Sequence, residues 1–390
     1  MKTIDKINLE GKKVIIRCDF NVPLKEGKIV DNNRIKESLK TINYCIENNA
    51  KVILLSHLGR IKEEDDLPKK TLKPVAEELS NLLSKEVIFI NKTRGKELED
   101  AINSMKEQDI LLIENTRYED LEGKKESKND EELGKYWSSL GDVFINDAFG
   151  TIHRSHASNV GISSNLESAV GFLVEKELKI LEELNTPERP YIVILGGAKV
   201  SDKIGVIKNL IEIADKILIG GGMAYTFLKA KGYEIGNSLL DDESIHFCEE
   251  IIKKYPDKLV LPIDSVNGLN FSNDTTITIK DIDNFSKEEM GMDLGPETIK
   301  LYKNILSTAK TVVWNGPLGV YEFDNFKVST EEILNYLTTN NIKTILGGGD
   351  IVAAATLTNQ KDKIYHASTG GGATLNYLEG KILPGLAAIK

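Results

Sequence analysis

The sequence predicts an α/β protein with two parallel-sheet domains joined by a helix. Its 390 residues, 41% of them hydrophobic, exceed what one hydrophobic core usually organises. Two series of strand-length apolar runs alternate with amphipathic helical stretches, and this alternation is typical of βαβ units. Between the two series lies a long charged amphipathic stretch at 171–186, which ends before Pro187 and Pro190. We predict that this stretch forms a hinge helix.

The first series predicts a domain over residues 1–170. Its apolar runs are rich in Val, Ile and Leu, as expected of parallel strands that are buried on both faces. Two stretches between the runs, 71–85 and 130–140, carry apolar residues at helical spacing. The predicted strands lie at 12–21, 50–60, 86–92, 109–118 and 142–150.

The second series predicts a phosphate-binding domain over residues 187–372. Four of its six apolar runs end in two or three consecutive glycines. Glycine after a parallel strand lets backbone amides approach a ligand closely, and the next helix adds its positive N-terminal end. Ligands of open α/β sheets bind beyond the carboxyl ends of the strands, so the loops of each series should gather at one edge. The runs lie at 191–199, 216–224, 258–264, 310–319, 343–350 and 363–372.

Charge and composition exclude several classes of protein. The chain has 50 basic and 60 acidic side chains, and its net charge of −10 argues against a general nucleic-acid coat or a binder of anionic membranes. Its three cysteines, Cys18, Cys45 and Cys248, are an odd number without zinc-ligand spacing, so neither a disulfide framework nor a zinc finger is expected. No apolar run has the length of a signal peptide or a membrane span. We predict a reduced, cytoplasmic protein.

Arginine is scarce and unevenly distributed in this chain. There are seven arginines against 43 lysines, so lysine is the ordinary basic residue here. Solubility needs only positive charge, whereas the planar arginine fork binds carboxylate or phosphate oxygens in pairs. Any one arginine could simply be a surface residue, but six of the seven precede residue 155 and therefore predict an anion site in the first domain. These six are Arg17, Arg34, Arg60, Arg94, Arg117 and Arg154.

Polar residues at the end of the first predicted strand support this placement. Arg17, Asp19 and Asn21 alternate, so they should share a face and project into the loop at the sheet edge. The histidines of HRSH (153–156) raise the question of a metal site. They lie in a loop without an acidic or cysteine partner nearby, which disfavours metal ligation.

The nucleotide-binding signals of the second half belong to no common fingerprint. Neither GxGxxG after the first strand of a series nor GxxxxGK[ST] occurs. Lys199 and Lys203 lie four residues apart after two glycines, which predicts both ammoniums on one face of the next helix, either at phosphates or in solvent. Asp350 follows three glycines, where a carboxylate can cap a helix or hold the Mg²⁺ of a nucleotide. The segment 314–322 reads as a structural turn.

Ten motifs stand in order along nearly the whole chain: RCDFNVP, SHLGR, ENTRY, AFGTIHRSHAS, GGAKVSDKI, GGGMA, MDLGPE, WNGPLGVYE, GGGD and STGGGATL. Together they closely resemble those of the phosphoglycerate kinase family. The resemblance implies two Rossmann-like domains joined by a hinge, with a C-terminal tail of about 373–390 returning to the first domain. It also implies reversible phosphoryl transfer from 1,3-bisphosphoglycerate to ADP, giving 3-phosphoglycerate and ATP. We expect a monomer that uses Mg²⁺ as Mg-ADP or Mg-ATP.

The resemblance also assigns the site residues. It implies that phosphoglycerate binds the first domain at Asp19, Phe20, Asn21, Arg34, His57, Leu58, Gly59, Arg60, Arg117 and Arg154. The nucleotide phosphates would lie near Lys199, Lys203 and the glycines 370–372, and the adenosine near Gly197, Gly291, Pro317 and Glu322. The nucleotide site would also include Gly348, Gly349, Asp350 and Ile351, with the metal on Asp350. The residues implied in catalysis are Arg34, Lys199, Lys203, Gly371 and Gly372.

Two positions depart from the family pattern. Cys18 replaces the usual valine, which is a conservative change in a buried strand. Ile351 stands where the family commonly has serine or threonine, so a hydroxyl contact with the nucleotide is absent there. We expect Ile351 to pack against apolar neighbours.

The implied chemistry agrees with the scarcity of candidate bases. Transfer between an acyl phosphate and ADP needs no general base, because the carboxylate and the phosphate oxygen are ionised at pH 7. Cations and amides should dominate the site, and closure of the two domains about the linker should exclude water. A dinucleotide-dependent oxidoreductase is the alternative among enzymes, disfavoured by the missing fingerprint. A non-catalytic sensor of phosphorylated metabolites is the alternative outside enzymes.

Overall fold

The structure, a computed structural model, describes residues 1–389 and has two units. The first is Met1–Ile180 together with the segment that begins at Ile382, and the second is Leu181–Lys381. The division therefore falls inside the helix predicted to join two domains, and not at its ends. The predicted tail begins later than residue 373, because 373–381 belong to the second unit. Lys390 lies outside the described residues.

A six-stranded parallel sheet lies at the centre of the first unit. Its first strand is buried on both faces, with Val14 and Ile16 in one core and Ile15 in the other. Such a strand needs no polar face, which is why unbroken apolar runs predicted the sheet. The strands of this unit are β1 Lys13–Arg17, β2 Leu24–Lys25, β3 Lys28–Ile29, β4 Lys51–Leu55, β5 Val87–Ile90, β6 Ile110–Ile113, β7 Val143–Asn146 and β8 Ser168–Val170.

The five predicted strands of this sheet are confirmed, and two features were missed. The order is β5-β6-β4-β1-β7-β8, and the edge strand β8 is only three residues long, too short to give a pattern. The β2–β3 hairpin forms a separate antiparallel pair. Both predicted helices are present, and the helices are α1 Asn33–Glu47, α2 Lys73–Leu83, α3 Lys96–Ser104, α4 Glu131–Ser138 and α5 Phe172–Glu182.

The second unit contains a second six-stranded parallel sheet, and all six predicted strands are part of it. A three-stranded antiparallel sheet accompanies it and was not predicted, because its strands have no continuous apolar run. The strands are β9 Tyr191–Leu195, β10 Lys216–Ile219, β11 Leu259–Val260, β12 Asp264–Gly268, β13 Ile277–Asp281, β14 Met290–Leu294, β15 Thr311–Asn315, β16 Lys343–Leu346 and β17 His366–Ala367. Their orders are β11-β10-β9-β15-β16-β17 and β13-β12-β14.

Helices follow most strands of the second unit. They are α6 Ile204–Ile213, α7 Met223–Ala230, α8 Ile245–Lys254, α9 Pro296–Leu306, α10 Val328–Thr339, α11 Gly349–Leu357 and α12 Gly371–Leu378. Helix α12 contacts α6 through a hydrogen bond in which Asn209 Nδ2 donates to the Leu378 carbonyl at 2.6 Å. This contact explains why residues 373–381 belong to the second unit.

The segment that begins at Ile382 belongs to the first unit. Helix α13, Pro384–Ala387, packs close to the segment after β7. The Gly385 amide donates to the Ile152 carbonyl at 2.9 Å, and a Cβ at Gly385 would lie 2.8 Å from the Ile152 side chain. Within residues 1–389, no helix combines the length and apolar character needed to cross a membrane.

Candidate functional site

The loop after β1 carries the acidic and amide groups of the first unit's site. Asp19 Oδ2 pairs with Arg34 Nη1, and Asp19 Oδ1 accepts the Asn21 amide at 3.3 Å. Asn21 Oδ1 in turn accepts the Gly59 amide at 2.8 Å. Gly59 has a φ of +63°, a left-handed conformation that favours glycine. The predicted Asp19, Asn21, Arg34 and Gly59 are therefore connected in one network.

Gly150 belongs to this network, although the sequence analysis did not single it out. A Cβ on Gly150 would lie 2.2 Å from Asp19 Oδ2 and 3.4 Å from Arg34 Nη1. The pair of Asp19 and Arg34 occupies this position only because residue 150 has no side chain. The motif AFGTIHRSHAS contains this glycine, but its close approach to a segment more than a hundred residues away could not be read from the sequence.

Three more predicted arginines concentrate positive charge in the same unit. Burial lowers the pKa of Arg154, and the nearby Arg117 and Arg60 lower it further. Arg117 is almost fully buried, and its Nε has no hydrogen-bond partner among the described residues. Arg60 is exposed. Cations packed against one another, with an unused buried donor, are what an anion-binding site requires.

Histidines complete the basic cluster. His57 is buried, and burial together with Arg17 and Arg117 holds its pKa well below the ordinary value. Burial and the neighbouring Arg154 lower the pKa of His153 to about 4, and its Nδ1 is buried without a partner in the described chain. At neutral pH these rings are uncharged hydrogen-bonding groups. His153 was considered only as a metal ligand, and the structure gives it no such set of ligands within residues 1–389.

Arg17, Phe20 and Leu58 differ from the expectation. Arg17 was expected at the sheet edge but is fully buried, with its Nε donating to Ser158 Oγ at 2.8 Å. Phe20 and Leu58, predicted to contact the substrate, are 0% and 3% exposed and belong to the hydrophobic core. Their amides are already bonded, to Ser56 Oγ and Asn115 Oδ1. All three side chains are therefore buried below the candidate site and are not exposed to a ligand.

The second unit contains a pocket of about 280 Å³ that brings several predicted nucleotide residues together. Its wall at Gly291 lies against the Tyr225 ring, where a Cβ would come within 2.0 Å of Cζ. Tyr225 is buried, and its hydroxyl is 2.7 Å from Ser265 Oγ, so the ring is fixed. Predicted residues in the lining are Gly197, Gly291, Pro317, Glu322 and Asp350.

Two helix N-termini meet beside this pocket. A Cβ on Gly371, the first residue of α12, would lie 3.0 Å from both Gly348 Cα and the Gly349 amide nitrogen. Gly349 is the first residue of α11, so the free amides of both helices begin in adjacent turns. Together they form a positive, glycine-lined surface, which suits phosphate groups.

The two lysines do not lie on a helix face, contrary to the prediction. Helix α6 begins at Ile204, and Lys199 and Lys203 lie in the preceding turn. Lys199 is exposed, whereas Lys203 is partly buried and its Nζ donates to Asn315 Oδ1. Burial lowers the pKa of Lys203, while the nearby carboxylates of Asp202 and Asp350 oppose that shift.

Asn315 is a second residue whose role was missed. It ends β15, its Oδ1 accepts from Lys203 Nζ, and its Nδ2 donates to the Gly347 carbonyl. It therefore fixes Lys203 against the loop before α11. Within 314–322, only Pro317 and Glu322 were expected at the nucleotide, although an asparagine at the carboxyl end of a central parallel strand is also a signal for the site.

Asp350 and Ile351 follow each other in the first turn of α11. The capping position belongs to Gly348, so Asp350 does not cap the helix, and its carboxylate is exposed at the pocket. One carboxylate beside this glycine-lined surface fits Mg²⁺, which usually keeps several waters and few protein ligands. Ile351 is 0% exposed in the core, which confirms its apolar packing. Any nucleotide contact of Ile351 is therefore left to its amide.

Comparisons with known proteins agree with this architecture. The family model described as phosphoglycerate kinase matches residues 4–381. A phosphoglycerate kinase of Staphylococcus aureus (strain bovine RF122 / ET3-1) is 58% identical over 392 residues, which cover 100% of this chain and 98% of the relative. The structure of phosphoglycerate kinase from Coxiella burnetii aligns with a TM-score of 0.88 at 38% identity, covering 99% of this chain and 98% of that one.

A more distant structure gives the same result. The crystal structure of phosphoglycerate kinase from Pyrococcus horikoshii OT3 aligns with a TM-score of 0.84 at 32% identity, covering 100% of this chain and 98% of that one. The relative covers 100% of this chain, the two structures cover 99% and 100%, and the family model covers residues 4–381, so neither unit is without a counterpart. The chain belongs to the phosphoglycerate kinase family.

Proposed function

We propose that this protein transfers a phosphoryl group reversibly from 1,3-bisphosphoglycerate to Mg-ADP, giving 3-phosphoglycerate and Mg-ATP. Its family membership makes it a phosphotransferase, and the geometry supports these particular substrates. The observation that carries the proposal is the presence of two different anion sites. The first unit has a cluster of arginines with an unused buried donor on Arg117, and the second has a glycine-lined pocket beside two helix N-termini.

The first unit would bind the phosphoglycerate. Arg60, Arg117 and Arg154 supply forks for the distal phosphate, with the neutral His57 as a further donor. Arg34 pairs through Nη1 with Asp19 and is only partly exposed, and we assign its remaining donors to the carboxyl end of the substrate. We assign it the task of stabilising the migrating phosphoryl group.

The second unit would bind the nucleotide. Gly197, Gly291, Pro317 and Glu322 line the pocket proposed for the adenosine, and the amides of Gly371 and Gly372, in the first turn of α12, would bind the phosphates. Lys203, positioned by Asn315, adds a cation for the charge that develops in transfer, and the exposed Lys199 is a second. Asp350 would hold Mg²⁺, which when bound neutralises phosphate charge and orients the nucleotide.

Turnover would need no general base, since both reacting oxygens are ionised at neutral pH. The protein must instead bring the anions in line and stabilise the equatorial oxygens of the migrating group. Because the two substrates bind different units, we propose that the units close about α5 during turnover and thereby exclude water. Scattering measured with both substrates, with each alone and with neither should show compaction only with both.

The proposed setting is the cytoplasm, with the protein as a monomer. Three buried free cysteines support a reducing compartment. Light scattering on the purified protein tests the monomer, and a dimer mass would overturn it.

The decisive assay is ATP- and 3-phosphoglycerate-dependent formation of 1,3-bisphosphoglycerate by purified protein. Arg34→Ala should abolish most of the rate, whereas Arg94→Ala, which alters an exposed arginine paired with Glu119, should not. Substrate binding without turnover would favour a metabolite sensor. Tight binding of a nicotinamide dinucleotide, read by cofactor fluorescence, would favour an oxidoreductase. Either result would overturn the proposal.

A further inference from the structure

We propose that Arg17, held by Glu126, is a positioning residue that keeps His57 neutral with its one proton on Nε2. His57 would then donate that proton in a hydrogen bond to the phosphorylated substrate. The part concerning the substrate rests on the proposed function, whereas the protonation of the ring does not.

The position of the Arg17 guanidinium is fixed on three sides. The side chain is 0% exposed, Nε donates to Ser158 Oγ at 2.8 Å, and Nη1 donates to the Cys18 carbonyl. The remaining nitrogen, Nη2, lies 3.3 Å from His57 Nδ1. Because strand β1 and the Ser158 segment both hold the group, it cannot turn away from the histidine.

The chemistry of the two groups decides which ring nitrogen carries the proton. A guanidinium has only donors and does not lose its charge in proteins, so it can approach His57 Nδ1 favourably only if that atom has a free lone pair. A neutral imidazole has one N–H, which must then be on Nε2. With the proton on Nδ1, two N–H groups would face each other at 3.3 Å in a buried site.

The carboxylate of Glu126 compensates the positive charge of the buried Arg17 guanidinium. It is fully buried, its Oε1 lies 3.9 Å from Arg17 Nη2, and its Oε2 accepts the Ser158 amide at 2.9 Å. Without that carboxylate, a buried guanidinium would be unpaired, which is costly. Glu126 Oε1 also lies 3.7 Å from His156 Nδ1, so one carboxylate is close to both Arg17 and His156.

The charges around His57 act in the same direction. Besides Arg17, the cations Arg117 and Arg154 and the imidazole of His156 face the ring. Burial is the largest cause of the low pKa of His57, and these neighbours lower it further. A second proton on the ring is therefore excluded near neutral pH. Within residues 1–389, Nε2 has no protein partner, so its N–H is available to a ligand oxygen.

The function of such a ring follows from its fixed proton. A neutral ring offers the same N–H to a phosphate oxygen at pH 6 and at pH 8, whereas a histidine of ordinary pKa would change charge between them. The hydrogen bond to a distal phosphate is the same in ground and transition states, so its loss should raise KM and leave kcat nearly unchanged.

The test is long-range ¹H–¹⁵N correlation spectroscopy on the full chain labelled at histidine, with Arg17→Met as variant and Arg94→Met as matched control. His57→Gln identifies the signal. Wild type at pH 7.5 should show a pyrrole-like Nε2 and a pyridine-like Nδ1, and no titration of His57 down to pH 5.5. A proton on Nδ1, or a doubly protonated ring, overturns the inference whatever the variants do.

Arg17→Met should mix the two tautomers and move the titration of His57 towards its ordinary value, while Arg94→Met should change neither. If Arg17→Met does not fold, the double variant Arg17→Met/Glu126→Gln removes both buried charges and serves in its place. An unchanged Nε2–H signal in the folded variant overturns the role of Arg17.

Kinetics test the link to the substrate. Arg17→Met should raise KM for 3-phosphoglycerate roughly two- to tenfold, because mixed tautomers leave the Nε2 proton on only part of the molecules, with kcat within a few-fold. An unchanged KM beside a changed tautomer overturns the substrate contact. A wild-type protein without kinase activity would refute the proposed function, but its spectrum would still decide the protonation of His57.

Discussion

Replacing Gly150 by alanine tests whether the pair of Asp19 and Arg34 must keep its present position for turnover. The backbone at Gly150 is not left-handed, so alanine is acceptable there without strain. The new Cβ would lie 2.2 Å from Asp19 Oδ2, whereas ordinary contact begins at 3.4 Å, so the carboxylate must retreat by about 1.2 Å. Arg34, bonded to that carboxylate, must move with it.

The expected loss follows from that displacement. Misplacing a reacting group by about 1 Å can cost about 10²-fold in rate. Gly150→Ala should therefore lower kcat/KM for 3-phosphoglycerate by about 10²-fold, measured in the coupled assay at saturating nucleotide. Nucleotide affinity, measured by calorimetry, should not change, because the nucleotide pocket is lined by residues of the other unit.

A double-mutant cycle makes the reasoning refutable. If the clash with Asp19 is the whole effect, Gly150→Ala should cost almost nothing in an Asp19→Ala background. If the losses in kcat/KM of Gly150→Ala and Asp19→Ala add in the double variant, the alanine at position 150 acts through a residue other than Asp19. A Gly150→Ala enzyme of normal kcat/KM would show that the exact position of the pair is unimportant.

Three further predictions concern other residues, two of them tested by kinetics and one by unfolding in urea. Arg34→Ala should lower kcat by on the order of 10³-fold with little change in substrate affinity, whereas Arg60→Ala should raise KM first; the reverse pattern would exchange their roles. Asn315→Leu should release Lys203 and lower kcat roughly 10- to 100-fold, so a folded variant of normal kcat would contradict the positioning role. Burial raises the pKa of Asp147 from 3.8 to about 7, so the folded chain binds this proton more tightly than the unfolded chain. Stability should therefore fall as pH rises through that interval, and Asp147→Asn should flatten the curve of urea midpoint against pH; equal slopes would contradict it.

Much of the fold was predictable because the main sheets are buried on both faces. Strands such as β4 and β9 must then be continuously apolar, and such runs stand out in a sequence. The antiparallel strand β13 alternates exposed and half-buried residues, and its face is set by neighbours that no local pattern reveals. Strand β8 is also too short to show a recognisable pattern. Local signals therefore found the two central sheets but missed the short edge strand β8 and the separate antiparallel sheet.

The sequence predicted which residue types form the candidate site, but it did not predict how deeply each residue is buried. Scarcity marked the arginines as binding groups, yet the structure gives three of them different surroundings. Arg17 is enclosed beneath the cluster by Ser158 and Glu126, Arg34 is partly exposed beside Asp19, and Arg94 is exposed beside Glu119.

What separates these three arginines is which distant segment packs over each, and not the residues next to them in the chain. The same holds for the missed Gly150 and Asn315, whose partners lie 131 and 112 residues away, at Asp19 and Lys203. Chemistry that depends on a residue's type can therefore be inferred from composition and motif. Chemistry that depends on a close approach between remote segments, such as the proton position proposed for His57, requires the folded structure, because the approach is itself a product of packing.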